Sequence, residues 1–552
     1  MDAFYRSLKQ KGFQGDIDNS EPTRMTYSHD ASLFELVPEV IVFPRNTQDL
    51  KRLVLSAAEC RGEIPGLSLT ARSGGTCMSG GSINDSVVVD FSRYLNKVEE
   101  VTRQSARTQP GVFYRDFEKL TLAHGALLPS FPASRELCTV GGMVANNSGG
   151  EKSLEYGKTE NYVQRLQVVL ADGSTYSLEP LNELQLNAKM GQKNFEGDIY
   201  RRLYHLLDAN YDLIKKAKPK VSKNSTGYNL WDVWDRQSGI FDLTKLFTGS
   251  QGTLGLVGDI DFKLINDKPH SGILVGFMKA KNMASLGPII NSVLAQKPAS
   301  FEAFDNYTLK LAIKFFPYFR KTLGWSGLIR LALQLIPDAF LLFRGIPKMV
   351  LLIEFSGQTA EEVAQKIRDA HEILKPFKLE AIEEDSTEAK AFKFRVIRRE
   401  SFNLLRKKVR DKHTAPFIDD MVVPPPRLVE FLPQLQAIIR KYKLMATIAG
   451  HMGDGNFHVI PLMKIEDPAE RAKLAPVMKE VNELILKYGG SLSGEHNDGL
   501  IRGPWLTQMY GPQIVDLFKQ TKQIFDPTNI FNPHKKTDAD WEYSMSHIRQ
   551  HF

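Results

Sequence analysis

The residues best suited to chemistry lie in two short segments of the C-terminal half. His451-Met-Gly-Asp-Gly-Asn-Phe-His458 places two imidazoles on either side of a Gly-Asp-Gly turn, and Gly494-Glu495-His496 adds a carboxylate and a third imidazole. A tight turn brings His451 and His458 toward one point, so that with Glu495 they form a three-ligand metal site with open positions. Zinc fits this set, which does not exclude iron or manganese. Because adjacent residues seldom both face one ion, we predict that His496, with its near-neutral intrinsic pKa, is a base.

Three clusters of small residues in the first half indicate a different kind of site. They are Arg72-Ser-Gly-Gly-Thr-Cys77 with the glycines that follow it, the stretch 141–150, and Gly249-Ser-Gln-Gly-Thr-Leu-Gly255. Small residues let backbone N–H groups converge on phosphate oxygens, although a single cluster of this kind is as often merely a loop. Neither a Walker sequence nor a G-x-G-x-x-G that opens a helix is present. Three separate loops therefore suggest one long cofactor that lies between them.

Apolar runs and turn residues predict the elements that position these segments. Residues 36–260 form a strand-rich α+β region, with a hairpin at Asp172-Gly173. From about residue 270 the pattern changes to strand followed by helix, and Thr359 with Glu362 forms a capping box at one helix start. The remaining predicted elements are strands at 41–44, 86–91, 273–277 and 349–355, a helix over 427–441, a strand pair at 446–460 and helical sequence over 468–488. A chain of 552 residues needs more than one core, so we expect at least two domains.

Taken together, the three glycine clusters resemble the FAD domain of flavoproteins of the vanillyl-alcohol oxidase type. The histidine segments resemble one branch of that family, the D-lactate dehydrogenases, glycolate oxidases and D-2-hydroxyglutarate dehydrogenases, which has H-x-G-D-G-N-x-H and G-E-H in this arrangement. The resemblance covers about residues 35–536 and implies an α+β fold. Its parts are an N-terminal extension at 1–34, a two-part PCMH-type FAD-binding domain at 35–268, an α/β, ferredoxin-like FAD-oxidase C-terminal domain at 269–536, and a tail at 537–552.

The same resemblance assigns residues to the cofactor. It implies that FAD is held at its pyrophosphate by Arg72, Ser73, Gly74, Gly75, Thr76 and Cys77, along the flavin by Ser134, Gly141, Gly142, Ala145 and Asn147, on the adenine side by Gly252 and Thr253, and near the flavin by Asn532 of the closing FDPTNIFNP block. Members that attach FAD covalently through the first loop have His where Thr76 stands. We therefore expect noncovalent FAD.

The branch also implies a reaction. Its two His and Glu bind a divalent metal, and its next His removes the substrate hydroxyl proton, roles that fall here on His451, His458, Glu495 and His496. An Arg of the branch clamps the substrate carboxylate through two parallel hydrogen bonds; Arg398 matches it best, with Arg395 and Arg399 as competing candidates. The implied activity is FAD-dependent oxidation of a D-2-hydroxy acid, above all D-lactate, to the 2-oxo acid. The hydride would pass to flavin N5, and the electrons onward to a quinone or cytochrome.

Three features depart from the branch. Asn497-Asp498 stands where many D-lactate and glycolate members have Gly-Ile or a similar pair, and the segment 306–349 is longer than its counterpart. Members that select a second carboxylate often have Lys two residues before the Asp of a K-x-D-x-x-x-P stretch, whereas Ile418 precedes Asp420 here. The last difference argues against 2-hydroxyglutarate as the substrate.

The segment 306–349 carries most of the net charge of the chain. It holds seven Lys and Arg side chains against a single acid, Asp338, among many large apolar groups. Such a composition suits a peripheral contact in which cations meet anionic lipid, each contributing about 1 kcal/mol. Core helices whose cations extend to the surface are the alternative. The sequence favours the membrane contact slightly.

Overall composition excludes several other classes. With 42% hydrophobic and 24% charged residues, the chain has a globular composition. Its net charge of +7 is too small for this length to indicate nucleic-acid binding by itself. Three cysteines without a C-x-x-C pair indicate neither a disulfide framework nor a cysteine-ligated cluster. No signal-peptide core is recognisable, so we expect a cytoplasmic protein, free or peripheral on the inner face of the membrane. Two alternatives stay open: a non-redox flavoenzyme of the alkyldihydroxyacetonephosphate synthase type, and a membrane- or nucleic-acid-binding protein with a degenerate flavin site.

Overall fold

The first sheet consists of four strands from the N-terminal part of the chain. The computed structural model describes residues 1–306, 310, 347–379, 381–385 and 412–550. In order across the sheet, the strands are Asp16–Asp18, Val40–Phe43, Val87–Asp90 and Leu69–Arg72, the last three parallel to one another. Every residue of the two central strands is buried, as expected of a parallel sheet covered on both faces. The predicted strands at 41–44 and 86–91 are thereby confirmed, and the edge strand comes from the N-terminal extension.

Helices cover this sheet and carry the chain to the first glycine cluster. Asp2–Gln10 packs on Thr47–Cys60, and Phe4, Leu8 and Leu53 lie in the core that these helices share with the sheet. A further helix spans Glu21–Tyr27. Because Leu69–Arg72 ends at the glycine cluster, the sheet places the loop that follows Arg72 at its edge.

A second sheet of five antiparallel neighbours forms the other part of the first half. Its strands, in order, are Val98–Val101, Ser105–Thr108, Leu256–Lys263, Val163–Val169 and Thr175–Leu178. The last two form the hairpin predicted at Asp172-Gly173. Around it lie the helices Tyr114–Ala123, Val140–Asn146, Ser153–Tyr156, Glu183–Met190, Phe195–Ala209, Tyr211–Ala217 and Leu243–Phe247, the short helices Thr159–Asn161 and Leu230–Asp232, and the small strands Ala126–Leu127, Ile265–Asn266, Pro180–Leu181, Trp234–Asp235 and Ile240–Asp242.

The C-terminal half is built on an eight-stranded sheet in which all neighbours are antiparallel. Its strands run in the order Ala381–Asp385, His270–Met278, Met349–Gly357, Ser300–Asp305, Met445–His451, Asn456–Met463 and His413–Thr414, with Met421–Val422 paired beside Asn456–Met463. The predicted strands at 273–277, 349–355 and 446–460 are therefore present. The alternation of strand and helix along the chain has not produced a parallel sheet, because successive strands return antiparallel to their neighbours.

Amphipathic helices pack on this sheet and form its core. Thr359 caps the helix Ala360–Leu374, and its hydroxyl accepts the N–H of Glu362, as predicted. The other half of the predicted capping box differs, because the Glu362 carboxylate accepts the N–H of Gln358, at 2.9 Å, and not that of Thr359. Among the described residues of this half, the other helices are Leu286–Leu294, Leu428–Lys441, Pro468–Arg471, Leu474–Lys487 and Gly499–Arg502, with short helices at Ala280–Ser285, Lys375–Phe377, Pro425–Arg427, Met452–Asp454 and Gly503–Trp505.

The C-terminal segment returns to the first half. Leu506–Phe525, kinked at Gly511, packs Phe518 and Phe525 into the core of the five-stranded sheet. Phe531 then pairs with Leu69 beside the first sheet, and the short helices Lys536–Asp538 and Trp541–Ser546 complete the described chain. Within the described ranges, every helix is too short or too polar to span a bilayer. All three cysteines are buried free thiols.

Candidate active site

A cavity of about 1060 Å³ lies between the glycine clusters and the sheet of the C-terminal half. The first half lines it with Arg72, Ser73, Gly74, Gly75, Thr76, Cys77, Ser134, Gly141, Gly142, Ala145 and Gly252, and the second half lines it with Ile273, Leu352, Thr447, Ala449, His451, His458, Glu495 and His496, among others. Eleven of the fourteen predicted cofactor residues are thus brought to the same cavity as the predicted metal ligands and base. The two motif groups, separated by hundreds of residues, share one chamber.

In the first glycine cluster, the Arg72 side chain is held by residues of the N-terminal segment. The Arg72 guanidinium stacks on Tyr27 and donates to the backbone carbonyls of Tyr27 and His29, at 3.3 and 2.8 Å. Gly75 adopts a φ of +63°, and a Cβ on Gly74 would lie 2.4 Å from the carbonyl oxygen of Leu137. Both positions therefore require glycine, and the Arg72 guanidinium lies against Gly75. The pyrophosphate role implied for Arg72 stays a prediction.

The second cluster is tied to the first through its helix cap. Thr139 precedes the helix Val140–Asn146; its Oγ1 accepts the N–H of Gly142 at 3.2 Å and shares a 2.5 Å hydrogen bond with Ser73 Oγ. A Cβ on Gly141 would lie 2.4 Å from Pro110 Cβ, so this close approach also needs glycine. The first two cofactor loops are consequently held in a fixed relation at the cavity wall.

Three predicted cofactor residues, Asn147, Thr253 and Asn532, do not line the cavity. Asn147 pairs with Glu160, and Thr253 shares a 2.6 Å hydrogen bond with the hydroxyl of Tyr228. Asn532 accepts from Thr70 and donates to the carbonyls of Gly81 and Gln251, at 2.9, 2.8 and 2.7 Å. All three are buried and brace the cofactor loops from behind.

The two histidines of the H-x-G-D-G-N-x-H segment lie on neighbouring strands. Met445–His451 and Asn456–Met463 pair antiparallel across a turn at Gly455, where φ is +66° and a Cβ would lie 1.8 Å from the Val423 carbonyl oxygen. The ring centroids of His451 and His458 are 5.4 Å apart. The turn therefore folds both imidazoles toward one point, as the spacing predicts.

A buried carboxylate holds the Nδ1 atom of each imidazole. Glu302 lies 2.5 Å from Nδ1 of His451, and the two oxygens of Asp419 lie 3.1 Å from His458 Nδ1 and 2.6 Å from His496 Nδ1. An imidazole that donates from Nδ1 keeps its lone pair on Nε2, so these acids select the tautomer suited to ligation or proton transfer. On His451, Nε2 lies 3.3 Å from Glu495 Oε1.

The donor set at this end of the cavity fits a divalent metal. One atom each from His451, His458 and Glu495 lie within 4.8 Å of one another, and two overlapping sets replace members of this trio with Asp419, Asp420 or His496. Two imidazole nitrogens with a carboxylate oxygen suit zinc, iron or manganese.

Charge at the site is dominated by buried acids. Burial lowers the pKa of His496, but the Asp419 and Asp420 carboxylates raise it more, to about 9. Burial raises the pKa of Glu495, but Lys223 and His451 lower it more, to about 2. The near-neutral pKa on which the prediction of His496 as a base rests is therefore not found in this surrounding. A cation at the neighbouring ligands would oppose the shift, because like charge disfavours an imidazolium.

Asp420 organises the loop that carries Glu495 and His496. Its carboxylate accepts the backbone N–H groups of both residues, at 2.9 and 2.7 Å, and its Oδ2 accepts from the hydroxyl of Ser493 at 2.5 Å. Asp419, Glu302 and Lys223 were missed by sequence reasoning. A lone acid inside the apolar run Phe301-Glu302-Ala303 was a usable signal for Glu302, whereas nothing in the sequence marked Lys223.

Some predicted residues lie outside the described part of the chain. These are Arg398 with its competitors Arg395 and Arg399, and nearly all of the basic aromatic segment 306–349. The carboxylate clamp and the membrane contact therefore remain predictions.

Two protein families match separate parts of this chain. Residues 38–179 match the family described as FAD binding domain, and residues 272–536 match the family described as FAD linked oxidases, C-terminal domain. A D-2-hydroxyglutarate dehydrogenase of Pseudomonas putida is 29% identical over 538 residues, which are 96% of this chain and 51% of that protein. The chain thus spans about half the length of such relatives. The glycolate oxidase subunit GlcD of Bacillus subtilis is 28% identical over 533 residues, which are 95% of this chain and 94% of that protein.

Solved structures show the same fold at lower identity. An alkyldihydroxyacetonephosphate synthase superposes with a TM-score of 0.64 at 18% identity, covering 97% of this chain and 84% of that one. The 4-ethylphenol oxidase from Gulosibacter chungangensis gives 0.67 at 15% identity, with 97% of both chains covered. At such identities the likeness concerns the two-domain α+β architecture alone.

Proposed function

Because the chain belongs to the family of FAD-linked oxidases of the vanillyl-alcohol oxidase type, we propose that it oxidises a D-2-hydroxy acid to the 2-oxo acid with noncovalent FAD. One observation carries the proposal. The glycine-lined wall and the cluster of His451, His458, Glu495 and His496 face the same cavity. A hydroxy acid between them would meet a redox cofactor on one side and a base with a metal site on the other.

The residues divide the work as follows. Bound FAD would supply the hydride acceptor, and the backbone of the glycine clusters would hold it. His451, His458 and Glu495 would hold a divalent metal, most simply zinc, as a Lewis acid. His496, held through Nδ1 by Asp419, presents Nε2 for the hydroxyl proton. Arg398 is the proposed clamp for the substrate carboxylate.

Among D-2-hydroxy acids we propose D-lactate or a close monocarboxylic analogue. Relatives named for D-2-hydroxyglutarate and for glycolate are similarly distant in sequence, so their names do not decide the substrate. Position 418, where members of the branch that select a second carboxylate often have Lys, is an isoleucine that is 4% exposed and packed in the core. It offers no cation to a distal carboxylate, which supports the smaller acids.

The electron acceptor is proposed to be a quinone or a cytochrome. The basic aromatic segment 306–349 would provide a peripheral contact with the inner face of the membrane, and the protein would otherwise be cytoplasmic. Cosedimentation with liposomes tests this contact. We expect the protein to bind vesicles of anionic lipid and not vesicles of neutral lipid.

Anaerobic reduction of the flavin tests the reaction directly. The purified protein is titrated with D-lactate, L-lactate, glycolate and D-2-hydroxyglutarate while the visible flavin absorbance is followed. Bleaching by D-lactate and not by L-lactate supports the proposal, and bleaching by D-2-hydroxyglutarate alone moves the substrate to the longer acid. A flavin that no hydroxy acid reduces contradicts the proposal and favours non-redox lipid chemistry instead. Absence of flavin contradicts the cofactor assignment itself.

A further inference from the structure

Lys223 is a buried lysine that belongs to the first half of the chain but contacts the histidine cluster of the second. Its side chain is 1% exposed, and its ammonium has three oxygen partners. These are Glu495 Oε1 at 2.6 Å, Asp454 Oδ2 at 3.0 Å and the carbonyl oxygen of Gly150 at 3.1 Å. The contacts with Glu495 and Gly150 are hydrogen bonds, and the contact with Asp454 is an ion pair.

Each partner belongs to a different part of the site. Glu495 is a proposed metal ligand, Asp454 lies in the turn between the two histidine ligands, and Gly150 ends the second glycine cluster. We propose, resting on the function proposed above, that Lys223 is a positioning residue for the metal site. Its ammonium holds the Glu495 carboxylate in place for ligation and links the ligand set to the cofactor loops.

The loop that carries Lys223 is held by hydrogen bonds on both sides of that residue. Ser222 donates to the carbonyl of Asp454 at 2.8 Å. Ser225 donates its N–H to the carbonyl of Ser493 at 2.9 Å and its hydroxyl to the carbonyl of Gly494 at 3.0 Å. Because these contacts set the backbone on either side, the lysine has little freedom to seek other partners.

Removal of the ammonium leaves two buried carboxylates without their shared cation. Glu495 and Asp454 are 5% and 3% exposed, so water cannot replace the lost partner fully. Glu495 would then lose the contact that fixes its carboxylate oxygen beside His451 and could turn away from the other two ligands. Loss of a group that orients a metal ligand typically weakens metal affinity by about 10- to 100-fold.

The test uses the FAD-loaded 552-residue chain, which is stripped of metal and then titrated with Zn²⁺ against a competing chelator. Lys223→Met should weaken Zn²⁺ binding by about 10- to 100-fold and change the absorption spectrum of bound Co²⁺. The matched control is Lys189→Met: Lys189 also pairs with a buried glutamate, Glu196, but neither residue lines the cavity. The control should bind Zn²⁺ as the wild type does.

A second variant guards against failure to fold. Lys223→Met combined with Asp454→Asn removes one of the two carboxylates together with the cation, which relieves the charge imbalance. Unchanged or tighter Zn²⁺ binding in either variant overturns the proposal, as does a wild type that binds no Zn²⁺. Flavin bleaching is measured separately: a wild type that no hydroxy acid reduces, but whose Zn²⁺ affinity falls in Lys223→Met, supports Lys223 and contradicts the proposed reaction.

Discussion

Substitution of Asp419 by asparagine should disable one of two imidazoles. Asp419 Oδ1 lies 3.1 Å from His458 Nδ1 and Asp419 Oδ2 lies 2.6 Å from His496 Nδ1, so this buried carboxylate favours a proton on Nδ1 of each ring, and a neutral ring then keeps its lone pair on Nε2. An asparagine has one acceptor oxygen and one donor NH₂. The ring that faces the NH₂ must accept a hydrogen bond at Nδ1, so its proton moves to Nε2. With Nε2 protonated, that nitrogen can neither ligate a metal nor accept a proton.

The size of the effect follows from the hydrogen bond that is lost. A hydrogen bond to a charged group contributes about 1.5–3 kcal/mol, and each 1.4 kcal/mol corresponds to a factor of ten. We therefore expect the rate of flavin reduction to fall by about 10- to 100-fold in Asp419→Asn. If the flipped ring is His458, bound metal is lost as well; if it is His496, metal is retained and only the rate falls.

The assay is anaerobic stopped-flow reduction of the flavin by whichever acid bleaches it in titration, with metal content measured on the same sample. Glu480→Gln is the matched control, since it makes the same chemical change in a carboxylate that pairs with Lys441 and Tyr442 away from the cavity. The control should reduce at the wild-type rate. An Asp419→Asn protein with the wild-type rate and full metal content refutes the tautomer argument.

Four further outcomes are expected. Acid precipitation should leave FAD in the supernatant, because Thr76 offers no imidazole for a covalent bond; yellow precipitate contradicts this. A chelator should lower turnover without releasing flavin, as measured by filtration, because the ligands and cofactor loops are different residues. Lys536→Met should lower the free energy of unfolding in urea by about 3–5 kcal/mol, since it leaves the buried Asp498 carboxylate unpaired; an unchanged midpoint contradicts this. Asn497→Gly should fold normally but bind FAD more weakly in equilibrium titration; unaltered affinity would mean that its amide is dispensable.

Much of the site could be predicted because its signals are local. Gly455 and Gly75 mark backbone conformations that other residues adopt at a cost, and the histidine spacing across a tight turn dictates that His451 and His458 converge. The strands were readable for the same reason, since apolar runs such as Val87–Asp90 record burial directly.

What could not be predicted depends on contacts between distant parts of the chain. Asp419 and Glu302 act on imidazoles 39 to 149 residues away, and only the sheet register brings them together. Lys223 reaches Glu495 across 272 residues. The strand-then-helix rhythm of the C-terminal half did not by itself fix the antiparallel order of its sheet, because that rhythm fits both parallel and antiparallel returns; the ferredoxin-like resemblance was needed for that.

The departure at Asn497-Asp498 has a structural explanation that leaves the site intact. Asn497 has a φ of +68°, a conformation open to glycine and, among other residues, mainly to asparagine and aspartate. Its amide donates to the carbonyls of Asn146 and Gly249, at 3.2 and 2.8 Å, which fastens the loop of His496 to two cofactor loops. Asp498 meanwhile pairs with Lys536 at 2.8 Å, both fully buried. Asn497 and Asp498 therefore stabilise the junction between the loop of His496 and the glycine clusters.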